Sequence, residues 1–167
     1  MMANTSHIIE LPDQLIIIDG QFFAPYAAQL KAYADKLGKP VTRFYISHDH
    51  PDHYIGFGDA FPNVPVYALK EVRENIQKNG QATLEARRGK YGSLIASRLN
   101  LPSHDVMPGT ETIQGVKCIF ERSLNNEAAS SLVIKLSDIG VCIAQDIVYN
   151  GVHLFIGGDR LRAGGLR

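Results

Sequence analysis

Three histidines and two aspartates occupy six consecutive positions, 48–53, directly after an apolar run at residues 41–46. The apolar run predicts a buried strand. Pro51, inside the polar cluster, predicts that the residues after the strand form a loop rather than a regular helix. The C-terminal end of a strand is also where α/β folds usually place their chemistry. The chain is therefore expected to fold around a strand that delivers this cluster to a functional edge.

The residue types in the cluster are those that bind metal ions. In extended backbone, residues two apart face the same side, so His48 and His50 can present their imidazoles to one ion. Asp52 and His53, set apart by the proline, can face a second ion beside the first. Neutral imidazole and carboxylate suit zinc, manganese or iron(II). The alternative is a polar surface turn in which the histidines only cap the turn or pair with aspartates.

Apolar periodicity predicts a mixed α/β chain with a hairpin-rich second half. A helix is expected at residues 25–37, and two more at 70–79 and 82–99, separated by Gly80. Residues 103–108 are expected to form a loop. The predicted strands cover residues 15–18, 41–46, 64–68, 110–113, 116–122, 132–136 and 141–144.

The composition excludes several function classes. The chain has 167 residues, with 17 basic and 17 acidic side chains, so it has no general attraction to nucleic acid or anionic lipid. No apolar stretch reaches the roughly 18 residues of a membrane span, and the N-terminus lacks the pattern of a secretory signal. We therefore expect a cytoplasmic protein in which Cys118 and Cys142 are buried, reduced thiols.

A family resemblance rests on residues 47–53, which read Ser-His-Asp-His-Pro-Asp-His. This segment resembles the His-x-His-x-Asp-His signature of the metallo-β-lactamase-fold superfamily. Asp19, after a predicted strand, resembles the family's strand-ending aspartate, and Gly56 resembles the glycine that follows the signature. The run at residues 142–146 resembles the strand that ends in the metal-bridging aspartate. The resemblance covers about residues 10–156.

The resemblance implies a ligand set for a divalent metal, zinc first, with one or two ions and with manganese or iron as other candidates. His48 and His50 would hold the first ion, Asp52 and His53 the second, and Asp146 would bridge both. Asp52 would also orient or deprotonate the attacking water, which makes it the predicted catalytic residue.

Two further aspartates and one glutamate complete the predicted site. Asp49 and Asp19 are expected to orient neighbouring ligands. The family normally supplies a third histidine to the first ion from the loop at residues 125–131, and this loop holds none. Glu127 lies about where that histidine is expected. A carboxylate can replace it and would favour a harder ion; the alternative is an ordinary exposed glutamate.

The remaining histidines have weaker assignments. His153 comes too early in the chain for the family's final histidine ligand, so it is expected to be structural or to line the pocket. His104 is expected in a polar loop and His7 near a frayed start, both without a role in the site.

The fold that the resemblance implies is an αββα sandwich of mixed sheets, in the α/β (α+β) class, with its second half incomplete. We expect one domain at residues 1–156 and a frayed, Gly- and Arg-rich tail at 157–167. An incomplete second half would leave an unpaired sheet edge and an apolar face exposed. A homodimer or higher oligomer that covers the missing elements is therefore expected.

The function that the resemblance implies is metal-dependent hydrolysis. A metal-bound hydroxide would attack an ester, thioester, lactam or phosphoester in a small-molecule substrate. One alternative is a non-catalytic, truncated remnant of the fold that acts as a binding or assembly module. Nucleic-acid processing is a further alternative, and the neutral charge argues against it. The family also includes oxidoreductases with di-iron sites, so the fold does not fix the reaction.

Overall fold

The computed structural model describes residues 4–149, which form two packed β-sheets. The strands of the first sheet, in spatial order, are β1 (His7–Glu10), β2 (Leu15–Ile18), β3 (Val41–Tyr45), β4 (Val66–Leu69) and β5 (His104–Val106). β1 is antiparallel to β2, and the strands from β2 to β5 are parallel to one another. The C-terminal ends of four strands therefore lie at one edge of this sheet.

The second sheet is an antiparallel meander. Its strands are β6 (Gly109–Ile113), β7 (Val116–Leu124), β8 (Ser130–Leu136) and β9 (Val141–Ile143). It packs on the first sheet through aromatic side chains, because the ring of Tyr45 on β3 lies 5.3 Å from the ring of Phe120 on β7. An ion pair between Arg43 and Glu111, 2.8 Å long, joins the two sheets beside these rings.

The helices of residues 4–149 connect the parallel strands of the first sheet. They are α1 (Ala24–Lys36), α2 (Pro51–Tyr54) and α3 (Lys70–Tyr91). Crossovers between parallel neighbours are right-handed, so successive helices pack on the same face when the strands follow one another in order. The other face meets the second sheet. Residues 4–149 thus supply one helical layer and both sheets of the expected sandwich, and the predicted tail at 157–167 lies outside the described residues.

The first sheet is built on an apolar run that is buried throughout. All four side chains of β2 are buried, as expected for a parallel strand covered on both faces. Next to it, Phe44 stacks on Phe57 with ring centroids 4.0 Å apart. A Cβ at Gly20 would lie 2.1 Å from Phe57 Cδ1, so only glycine fits where the chain leaves β2. This packing fixes the strand ends that carry the polar cluster.

The prediction of two helices divided by Gly80 is wrong. α3 is continuous from Lys70 to Tyr91, and Gly80 lies buried inside it. A Cβ there would approach Leu99 Cδ1 at 3.1 Å, so this glycine allows close packing rather than ending the helix. Local propensity predicted a break, and tertiary packing overrides it.

The prediction that Pro51 excludes a helix is also wrong. Pro51 is the first residue of the one-turn helix α2. Proline is favoured at this position, because the N–H that it lacks has no partner within the helix and its fixed φ suits a helix start. The proline therefore starts the turn that carries Asp52 and His53.

Two strands and one cysteine also differ from expectation. β1 contains His7, placed near a frayed start by the sequence, and β5 contains His104, placed in a loop. The ring of His104 stacks on Tyr67, with centroids 4.6 Å apart. Both cysteines are free; Cys118 is buried, as predicted, whereas Cys142 is exposed on β9. The prediction of a buried Cys142 is wrong because β9 is an edge strand, where an apolar residue can face solvent.

No helix within residues 4–149 is both long enough and apolar enough to span a membrane.

Candidate metal centre

The candidate site lies where β2 and β3 end at the same edge of the first sheet. The residues that follow these parallel strands meet there, because the backbone N–H of Ser47 donates to Oδ1 of Asp19 at 2.7 Å. α2 begins at Pro51 and is tied to the end of β2 by a hydrogen bond of 2.7 Å from the N–H of Gly20 to the carbonyl of His53. The site is therefore held by regular structure on both sides.

Asp19 is the anchor of the site. Its side chain is fully buried, and Oδ2 accepts hydrogen bonds from Ser47 Oγ at 2.6 Å, His53 Nδ1 at 2.7 Å and Gln145 Nε2 at 2.6 Å. Its φ of 61° lies in the left-handed region, which Asp tolerates better than most residues. Burial raises the pKa of Asp19, but the neighbouring His53 outweighs this effect and holds the pKa below its ordinary value. The carboxylate is therefore charged.

His53 is oriented by that carboxylate. Because a carboxylate only accepts hydrogen bonds, Nδ1 of His53 carries a proton and donates it to Asp19. Nε2 then faces the carboxylates of Asp146, at 3.1 Å, and Asp52, at 3.6 Å. Burial lowers the pKa of His53, but the charge of Asp19 and the hydrogen bond to Asp146 raise it well above its ordinary value. Nε2 thus binds a cation readily, whether a proton or a metal ion.

His48 has a nitrogen with no partner. Its Nδ1 lies 2.9 Å from Ser47 Oγ, and that hydroxyl gives its only proton to Asp19. Nδ1 of His48 must therefore donate, which leaves the lone pair on Nε2. This Nε2 is buried and makes no hydrogen bond within residues 4–149. Burial, together with the charge of His53, lowers the pKa of His48 to about 3, so the lone pair is free at neutral pH.

His50 faces a glutamate from the second sheet. Its Nδ1 lies 3.1 Å from Oε1 of Glu127, which belongs to the loop between β7 and β8. The Glu127 side chain is only 8% exposed, so it is not the ordinary exposed glutamate of the alternative interpretation. Its second oxygen, Oε2, accepts a hydrogen bond from the hydroxyl of Tyr149. Burial and the contact with Glu127 raise the pKa of Tyr149, which keeps the hydroxyl a donor.

Within residues 4–149, two groups of three side chains could hold a metal ion. One is His48, His53 and Asp146, the other is His48, His50 and Glu127, and in each the ligand atoms lie within 4.8 Å of one another. Two ligands about 2.0–2.1 Å from a tetrahedral ion lie about 3.4 Å apart. The 3.1 Å separations of the His53–Asp146 and His50–Glu127 atoms are close to this value. With the unpartnered lone pair of His48 between them, these residues fit a divalent cation.

The two remaining predicted residues lie at the margin of the site. Asp52 is buried at 8% exposure, and its Oδ2 lies 3.6 Å from Nε2 of His53. Asp49 accepts a hydrogen bond from Asn75 on α3. It therefore ties the loop to α3, and the hydrogen bonds of residues 4–149 do not join it to a ligand histidine. His153 lies outside the described residues.

Three residues of the site were not predicted from the sequence. Ser47 joins His48 to Asp19, Gln145 donates to Asp19, and Tyr149 donates to Glu127. Ser47 and Gln145 each precede a predicted ligand in the chain, which was the available signal. Tyr149 had no such signal in the sequence, because its partner Glu127 is 22 residues away and lies on another element.

Solved structures share this fold. A metallo-beta-lactamase from Pontibacter korlensis is 17% identical, with a TM-score of 0.61 over 78% of this chain and 54% of that one. A second, from Hirschia baltica, is 18% identical, with a TM-score of 0.56 over 81% and 55%. A third, from Pseudomonas aeruginosa in its mono-zinc form, is 18% identical, with a TM-score of 0.57 over 81% and 54%.

These comparisons define the class of the protein. The chain has the metallo-β-lactamase fold, as its signature predicted, and it spans about half the length of the solved structures that it matches. No protein-family model matches the sequence, and no curated protein matches it. The predicted α/β class with two sheets is confirmed, and identity at this level establishes the fold alone.

Proposed function

We propose that the protein is a divalent-metal-dependent hydrolase that acts on an ester, thioester, lactam or phosphoester in a small-molecule substrate. The observation that carries this proposal is the buried Nε2 of His48. Its lone pair has no hydrogen-bond partner in the part of the chain that the structure describes, and it is flanked by two further imidazoles and two carboxylates. A buried polar atom without a partner is costly unless something binds it. A cation is the species that suits this donor set.

We propose a division of the ligands between two ions. His48, His50 and Glu127 would hold one ion. His53, Asp146 and Asp52 would hold a second, since a neutral imidazole offers one lone pair and His48 can serve only one ion. When bound, divalent cations lower the pKa of a water molecule and polarise a carbonyl or phosphoryl oxygen. We propose zinc as the first candidate, with manganese or iron(II) as the others.

Asp52 is the proposed catalytic residue. Its carboxylate lies beside His53 but, unlike that of Asp19, it is not occupied by three donors. Its backbone is held by a hydrogen bond from the side chain of Asn4 to the carbonyl oxygen. We propose that Asp52 orients the attacking water and accepts its proton, while Asp19 and Ser47 keep the ligand histidines in the required tautomers.

Chelation tests the proposal directly. The purified protein is expected to contain one or two divalent ions per chain by elemental analysis. It should hydrolyse at least one member of a chromogenic panel of ester, thioester, lactam and phosphoester substrates. Because the ions supply the activated water, chelator is expected to reduce the rate to that of buffer, and added Zn²⁺ or Mn²⁺ should restore it.

The controls separate the alternatives. The same metal concentration without protein gives the background rate. Hydrolysis that survives chelation contradicts the proposal. Tight binding of an ion without hydrolysis of any substrate in the panel favours the binding or assembly module instead.

We also propose that the protein forms a homodimer or higher oligomer. β9 is an edge strand of the second sheet as described, and the exposed apolar side chains near it include Ile139, Val141 and Val148, which are 69%, 41% and 68% exposed. Pairing of this edge with a second copy would cover the apolar side chains. Light scattering at micromolar concentration is expected to give at least twice the chain mass, and a stable monomer would contradict this proposal.

A further inference from the structure

We propose that Tyr149 is a positioning residue of the metal centre. By donating its hydroxyl hydrogen to Oε2 of Glu127, it holds Oε1 against the His48–His50 pair, so that the carboxylate becomes the third ligand of that ion. This inference rests on the proposed function, because it requires that the His48–His50 position bind a metal.

Hydrogen bonds within the loop between β7 and β8 place Glu127. A hydrogen bond of 3.1 Å joins the N–H of Ala128 to Oδ1 of Asn126, and the hydroxyl of Ser131 donates to the same oxygen at 2.8 Å. The amide of Asn126 in turn donates to Ser123 Oγ at 3.1 Å. One side chain therefore ties together both ends of the loop that carries Glu127. These hydrogen bonds hold the backbone of the loop, and so place the Cα of Glu127 beside the site.

The two carboxylate oxygens of Glu127 have different partners. Oε1 contacts His50, and Oε2 contacts Tyr149. A glutamate has three rotatable side-chain bonds, so the loop alone does not fix the direction of its carboxylate. The phenol supplies the second fixed point, and phenylalanine at the same position would fill the space without supplying it. Tyr149 therefore acts on the ion through Glu127 and not as a ligand itself.

The placement of Glu127 affects which metal ion the His48–His50 position prefers. With Glu127 in place, the His48–His50 position has two nitrogen donors and one anionic oxygen donor. Carboxylate oxygen favours harder ions such as Mn²⁺ relative to a site of imidazoles alone. The orientation supplied by Tyr149 thus sets both the affinity of this position and its relative preference between Mn²⁺ and Zn²⁺.

The test measures dissociation constants for Zn²⁺ and Mn²⁺ by competition with a chromophoric chelator, in the full chain and without substrate. The binding step that disappears in His50→Ala identifies the His48–His50 position. Tyr149→Phe is expected to weaken that step about 10–100-fold, the usual effect of a partner that orients a ligand. Tyr33→Phe, an identical change at an exposed position of α1, should leave it unchanged.

A double substitution separates positioning from general destabilisation. Because Tyr149 acts only through the carboxylate of Glu127, Tyr149→Phe should have no further effect on either ion in a Glu127→Ala background, where no acceptor remains for the phenol. Glu127→His should shift the ratio of the two dissociation constants toward Zn²⁺ by about 10-fold or more. Circular dichroism of each variant in chelator checks that the fold persists.

The outcomes distinguish this inference from the proposed function. If His50→Ala loses the ion but Tyr149→Phe binds it as the unchanged protein does, the inference is wrong and the metal centre stands. Additive effects of Tyr149→Phe and Glu127→Ala would also overturn it. If the unchanged chain binds neither Zn²⁺ nor Mn²⁺, the inference and the proposed function both fail.

Discussion

Replacing His48 with alanine is expected to weaken metal binding by more than about 100-fold, beyond the usual effect of losing a partner that only orients a ligand. His48 belongs to both groups of possible ligands, and its Nε2 is a buried polar side-chain atom without a partner in the described chain. Its loss removes the donor between the other imidazoles. Isothermal titration with Zn²⁺ measures the change.

Thermal unfolding gives an independent reading of the same substitution. A ligand that binds only the folded state stabilises it by about 2.7 kcal/mol at a concentration 100 times its Kd. Zn²⁺ should therefore raise the Tm of the unchanged protein, and the gain should be lost in His48→Ala. His104→Ala is the matched control, since His104 is exposed on β5 and stacks on Tyr67. Equal stabilisation of His48→Ala by Zn²⁺ would contradict the assignment.

The parts of the site that could be predicted from the sequence are those encoded by contiguous residues. The candidate ligands His48, His50 and His53 follow one strand within a few positions, so their proximity needs no knowledge of the fold. Asp19 was singled out by the family resemblance, as an aspartate that follows a strand. In the structure it meets the residues after β3, because parallel strands end at one edge of the sheet.

The parts that could not be predicted depend on contacts between distant elements. The pairing of Glu127 with Tyr149 joins a loop of the second sheet to a residue after β9. The resemblance indicated Glu127, but nothing in the sequence indicated its partner Tyr149. The same limit explains the error at Gly80, where the side chain that packs closely on the glycine, Leu99, is 19 residues away. The prediction at Pro51 was wrong for a different reason. Proline is excluded from a helix interior but is favoured at a helix start, and the sequence alone did not distinguish the two positions.

Replacing Asp19 with asparagine is expected to destabilise the protein by about 3–5 kcal/mol near pH 6, the range for breaking a buried charge pair. Asparagine keeps the size of the side chain and tolerates the positive φ at this position. Its amide group, however, must turn a donor toward at least one of the groups that donate to Asp19, among them Ser47, His53 and Gln145. Urea unfolding in chelator measures the change.

The pH dependence of that loss is the sharper test. The charge of Asp19 raises the folded-state pKa of His53 well above its ordinary value of 6.5. Its pair with Asp19 therefore contributes full stability below about pH 6.5 and loses it as pH rises toward the folded pKa. Asp19 has a lowered pKa, so its own contribution is present above 3.8 and is lost as pH falls through the folded value. The deficit of Asp19→Asn should be largest between about pH 4.5 and 6.5 and should shrink as the pH rises through the folded-state pKa of His53.

A surface pair supplies the matched control for this argument. Asp105 forms an ion pair of 2.6 Å with Arg73 at the protein surface, where such pairs contribute about 0–1 kcal/mol. Asp105→Asn should therefore cost little and should show no maximum between pH 4.5 and 6.5. If Asp19→Asn behaves like Asp105→Asn, or if its deficit does not shrink as the pH is raised above 6.5, Asp19 does not hold His53 as a charged pair. The proposed metal centre would then lack the anchor that fixes both of its buried imidazoles, since Asp19 acts on His53 directly and on His48 through Ser47.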